Sequence, residues 1–95
     1  MRAVPTGLAG LVVVEPVVHR DARGFFLETF RADEMERLGV SETWVQDNHS
    51  RSVHGVLRGM HFSIGRGQAK LVHCARGRIL DVAVDIRRGS STYGC

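Results

Sequence analysis

A mostly β fold with one short helix is what this sequence predicts, and three observations lead there. Valine-rich and alternating apolar segments recur at short intervals, glycine-rich turns separate them, and a single stretch carries helical spacing. Many short strands at regular spacing read as a β-sandwich or a small barrel. At 95 residues the chain makes one domain at most, with a modest core.

The elements follow in order. "LVVVEPVV" (Leu11 to Val18) is β-branched, and Pro16 inside it predicts an edge strand or a break. "DARG" (Asp21 to Gly24) is turn chemistry. In "GFFLETF" (Gly24 to Phe30), Phe26, Glu28 and Phe30 share one face while Phe25, Leu27 and Thr29 share the other. The helix is expected from Ala32 to Leu38, with Met35 and Leu38 three apart and Gly39 placed as its C-terminal cap. Four further strands are expected over Thr43–Ser50, Gly55–Phe62, Ala69–Ala75 and Arg78–Ile86, the last two joined by a tight Arg76-Gly77 hairpin. In the final strand Leu80, Val82, Val84 and Ile86 form an apolar face opposite Asp81, Ala83 and Asp85. No internal repeat and no linker interrupts the chain.

Composition narrows the function. The chain is 43% hydrophobic and 24% charged, and its +3 charge comes from 13 basic against 10 acidic residues interleaved along its length. A nucleic-acid binder more often concentrates its cations on one stripe, so nucleic acid is not the expected partner. Twelve of the 13 basic residues are Arg and only Lys70 is Lys. Arginine suits a bidentate grip on phosphate or carboxylate, which fits a small anionic ligand. Cys74 and Cys95 make no disulfide framework, and reduced thiols in the cytoplasm are the plain reading. The apolar run Leu8–Val14 is too short to span a bilayer, and no small-residue cleavage site follows it before Glu15. A cytoplasmic protein with no membrane partner is expected.

No P-loop, Gly-x-Gly-x-x-Gly fingerprint or Ser-His-Asp arrangement is present. The five histidines (His19, His49, His54, His61 and His73) include no His-x-His pair, and the spacing of His49 and His54 points them to opposite faces of a strand. Neither a metal nor another cofactor is expected.

The stretch that stands out is "GVLRGMHFSIGRGQAK" (Gly55 to Lys70), which threads Arg58, His61 and Lys70 among glycines and apolar side chains. A core rarely accepts such groups unpaired, and a solvated loop has no need of Val56, Leu57, Met60 and Phe62 between them. The pattern reads as strands lining a polar cavity. For a lone His the favoured reading would be a core residue bonded to a backbone carbonyl. Beside cations, however, a partly buried imidazole has its pKa pushed down and serves as a base near neutrality. Lys70 could stabilise a developing oxyanion. Together the three suit proton abstraction next to a carbonyl on a phosphate-bearing substrate. Arg58 and His61 have opposite parity in a regular strand, so a kink is expected at or beside Gly59. Gln46 and Asn48 share a face suited to hydrogen bonds with a ligand or, equally, to capping a turn. Arg23 and Glu28 also read as solvated charges at a strand entrance.

"DARGFFLETF", "QDNHSRSVHGVLRGMHF", "QAKLVHCARG" and "ILDVAVDIRRGSSTYG" resemble, in order and with near-constant spacing, the successive N-terminal motifs of the dTDP-4-dehydrorhamnose 3,5-epimerases. These are bacterial cupin-fold enzymes of dTDP-L-rhamnose formation, and the resemblance runs from Asp21 to Gly94. It implies a metal-free, cupin-like jelly roll, of which residues 1–95 would be the N-terminal part of a single domain, and a homodimer with exchanged strands. By motif, His61 would be the general base flanking the ketone, Lys70 the partner of the enolate oxygen, and Arg58 the contact to the charged part of a dTDP-sugar. Arg23, Glu28, Gln46, Asp47 and Asn48 would belong to the nucleotide-sugar site, and Asp81 or Asp85 would support it from behind. Family members run to roughly twice this length; their second half supplies a tyrosine proton donor and an aspartate that orients the histidine. Tyr93 lies outside the donor's expected position, and the His61–Lys70 interval is one residue short of the family's. A single-carbon epimerase or ketoisomerase of deoxysugars and a non-catalytic, nucleotide-sugar-binding cupin fragment are the alternatives.

Overall fold

The computed structural model describes Met1–Cys95 in full. Two compact units form, Met1–Ser41 together with Ile79–Cys95, and Glu42–Arg78.

The first unit holds all the regular structure. Strands β1 (Arg2–Pro5) and β2 (Val12–Glu15) pair antiparallel, with Arg2 opposite Glu15 and Pro5 opposite Val12. Between them the Thr6 hydroxyl donates to the Leu11 carbonyl at 2.8 Å and accepts the Leu8 N–H at 3.1 Å, which closes the loop. Arg2 and Glu15 add a cross-strand ion pair. The apolar run from Leu11 breaks at Pro16, where a proline cannot donate to a ladder. Beyond the break, β3 (Val18–Asp21) pairs antiparallel with β4 (Gly24–Leu27) across the two-residue turn Ala22–Arg23. The register sets His19 beside Phe26 and Arg20 beside Phe25 on opposite faces, with ring centroids 6.5 Å apart in the first pair and a guanidinium 5.7 Å from the ring in the second.

Helix α1 spans Ala32–Arg37, with Asp33 and Glu34 in its first turn and Arg37 in its last, as its dipole favours. Gly39 takes a φ of +90° just past its end. The Gly39 N–H bonds the Glu36 carbonyl and the Val40 N–H the Met35 carbonyl, at 2.9 and 2.8 Å. This is the glycine cap anticipated from sequence. Met35 is the buried apolar residue of the unit, 1% exposed.

The expected strands Thr43–Ser50, Gly55–Phe62, Ala69–Ala75 and Arg78–Ile86 do not form, and β4 stops at Leu27 instead of running to Phe30. A strand exists only through ladder bonds to a neighbour and a layer over its apolar face. Here neither is supplied. Leu57, Ile64 and Leu80 stand 86–93% exposed. Arg76–Gly77 does bend the chain, with Gly77 at a φ of +86°, but no strands pair across it. What forms is therefore mostly β, as two small antiparallel sheets with one short helix.

Candidate active site

Six of the eight residues singled out from sequence lie in the unit Glu42–Arg78: Gln46, Asp47, Asn48, Arg58, His61 and Lys70. All six are exposed. The partial burial expected for His61 is not realised, because no layer covers the segment around it. The Gln46 side-chain amide donates to Asn48 Oδ1 at 3.3 Å, so these two side chains do share a side. Gly59 has a φ of +122°, but with no strand over Gly55–Phe62 this is irregular backbone, not the strand bulge that parity anticipated. The His61 ring packs against it, with Nδ1 3.6 Å from where a side chain at position 59 would begin. A substitution at Gly59 is thus strained by conformation rather than by space.

Arg58 is held by neutral oxygens. Its Nε donates to Ser52 Oγ at 2.9 Å and its Nη2 to the Arg51 carbonyl at 3.1 Å. A turn makes this possible: the Val56 N–H reaches the Val53 carbonyl at 3.4 Å, and Gly55 adopts a φ of +85°.

The unit's charge is one-sided. It carries six basic residues (Arg51, Arg58, Arg66, Lys70, Arg76 and Arg78) against two acidic ones, Glu42 and Asp47. None of the six makes an ion pair; all five ion pairs of the structure belong to the other unit. A surplus of four positive charges, none of the cations ion-paired, is a charge balance suited to an anion.

Arg23 and Glu28 lie in the other unit. Arg23 is engaged by Asp21, which accepts its backbone N–H at 2.8 Å and its Nη2 at 2.6 Å. The guanidinium holds the Asp21 carboxyl below its ordinary range. Glu28 borders an open depression with Val17, His19, Phe26 and Arg31. Phe26 and Glu28 therefore border the same depression, although β4 ends at Leu27 before Glu28.

Asp85, not Asp81, is the buried carboxylate. Its Oδ1 accepts the Arg87 N–H and Nε, both at 2.9 Å, and its Oδ2 accepts Arg87 Nη2 at 3.0 Å and the Ser90 and Thr92 hydroxyls at 2.6 Å. The Arg87 guanidinium first, then the two hydroxyls and the Arg87 N–H, hold its carboxyl far below the usual carboxylate range. The backbone closes the same loop, with Asp85 N–H to Cys95 C=O at 2.8 Å and Gly94 N–H to Asp85 C=O at 2.7 Å. Its donors all come from its own loop. Sequence reasoning left Asp81 and Asp85 undecided and did not single out Ser52; a serine six residues before an arginine carries no signal until the intervening turn is seen.

Residues 5–95 match the family model described as dTDP-4-dehydrorhamnose 3,5-epimerase. The chain belongs to that family. A protein named dTDP-4-dehydrorhamnose 3,5-epimerase from Methanothermobacter thermautotrophicus is 50% identical over 93 residues, which is 98% of this chain and 50% of the relative. One of the same name from Pseudomonas aeruginosa is 49% identical, over 99% of this chain and 52% of its own length. A Streptomyces niveus protein named dTDP-4-dehydrorhamnose 3-epimerase is 45% identical, over 100% of this chain and 47% of its own. The chain thus spans about half the length of the curated relatives it matches. No solved structure matches it.

Proposed function

We propose that this protein acts as a dTDP-4-dehydrorhamnose 3,5-epimerase, with residues 1–95 contributing the N-terminal part of a single cupin-like jelly-roll domain. The observation that carries the reading is the family match over residues 5–95; the segment Glu42–Arg78, which holds His61, Lys70 and Arg58 and in which no cation is ion-paired, supports it. The substrate is a dTDP-linked 4-keto-6-deoxy sugar. His61 takes the proton from C3 or C5, each acidic because it flanks the C4 ketone; the C–H electron pair moves to the C4 oxygen as an enolate. Lys70 faces that oxygen with its ammonium. Reprotonation from the opposite side inverts the carbon. Arg58 grips the phosphates, and Gln46, Asp47, Asn48, Arg23 and Glu28 hold the nucleotide sugar. The protein works as a homodimer in the cytoplasm, without metal or other cofactor.

The Streptomyces niveus relative supports a second reading, inversion at C3 alone. Determining the configuration at both carbons of the product by NMR separates the two. Inversion at C3 and C5 is the expected result; inversion at C3 only favours the second reading, and dTDP binding with no inversion at either carbon defeats both.

A further inference from the structure

Five arginines of the other unit are oriented by carboxylates, as Arg23 is by Asp21 and Arg87 by Asp85. Arg58 is oriented just as definitely, yet only by a hydroxyl and a carbonyl. The difference matters, because a neutral acceptor fixes a guanidinium without cancelling its charge. Five N–H groups lie in one rigid plane on this side chain. Ser52 Oγ and the Arg51 carbonyl occupy the edge formed by Nε and Nη2. The remaining edge, formed by Nη1 and Nη2, is left to meet two oxygens of a phosphate side by side.

We propose that Ser52 is a positioning residue that presents Arg58, aligned and uncompensated, to a phosphate of the ligand. The inference rests on Arg58 being the phosphate contact. By holding the side chain beforehand, Ser52 lowers the ordering cost that a free arginine meets on binding. The turn at Gly55 is what returns position 58 to position 52.

The test is titration with dTDP of the protein expressed from its intact gene. Ser52→Ala is expected to raise the Kd about five- to tenfold, as losing one ordinary hydrogen bond at an exposed site does. Ser52→Thr, which keeps the hydroxyl, restores affinity to within about twofold. Ser52→Asp weakens binding further than Ser52→Ala, because a carboxylate cancels the charge that the serine leaves available. In an Arg58→Ala background the Ser52 substitutions have no further effect. If Arg58→Ala weakens dTDP binding while Ser52→Ala does not, or if Ser52→Asp binds as well as the unaltered protein, the role of Ser52 is overturned and that of Arg58 stands. If Arg58→Ala leaves the affinity unchanged, the phosphate-contact reading falls and this inference falls with it.

Discussion

The segment Glu42–Arg78 and the remainder of the chain treat charge in opposite ways. In Met1–Ser41 with Ile79–Cys95, seven basic residues face eight acidic ones, and five of the seven arginines are locked in ion pairs. These pairs are local, joining strand neighbours, turn residues or one helical turn. In Glu42–Arg78 the cations have no such partners, and regular backbone pairing is absent as well. One unit ties its charged groups into ion pairs; in the other the polar side chains bond only to neutral groups. This division teaches where to look for chemistry: apart from the proposed ligand contacts Arg23 and Glu28, substitutions in the first unit should be read in stability, and those in the second in activity.

The largest expected effect is on activity. His61→Ala removes the proposed base, and proton abstraction should slow by about a thousandfold. Because the His61 side chain is exposed, the variant's unfolding midpoint should stay where it is. A midpoint that drops sharply would break the division. Next comes Met35→Ala, which empties the one fully buried apolar position and should lower stability by about 2–4 kcal/mol in denaturant unfolding.

Asp85→Ala strips five donors of their acceptor and should lower amide protection across residues 85–95 by about tenfold or more. The same carboxylate sets a pH dependence. Its folded pKa lies well below the unfolded value of about 4, so its stabilisation is complete above about pH 4 and fades only as pH falls toward the lowered value. Protection of the Arg87 amide should therefore persist at pH 4 and fall only in stronger acid, a series that hydrogen exchange can follow. The smallest effect belongs to Arg2→Ala, whose exposed pair with Glu15 is worth under about 1 kcal/mol and less in high salt.

What was legible in the sequence is what local chemistry decides. Pro16 breaks a strand because it has no N–H to donate, and Gly39 caps the helix because it tolerates a positive φ; both follow from a residue and its neighbours. The parity arguments for a bulge at Gly59 and a shared face for Gln46 and Asn48 presupposed strands that do not form, although Gly59 takes a positive φ and Gln46 bonds Asn48. The strands expected beyond Thr43 did not form, because alternation in Leu80, Val82, Val84 and Ile86 says which face wants cover but not whether a partner supplies it. The Asp85 loop was missed for the opposite reason. Its carboxylate gathers donors from positions 87, 90 and 92, a closed set with no helical or strand period to reveal it. At the site, residue types and spacing pointed to base, oxyanion partner and phosphate grip, whereas Ser52 became visible only through the turn that brings Arg58 back to it.

The central claim is that His61 moves the protons next to a ketone. It is tested most directly by incubating the dTDP-linked 4-keto-6-deoxy sugar with the protein in heavy water and following C3 and C5 by NMR. Deuterium entering both positions with the unaltered protein, and neither with His61→Ala, is the predicted result. Equal incorporation by the two proteins, or none by an unaltered protein that demonstrably binds dTDP, would contradict it.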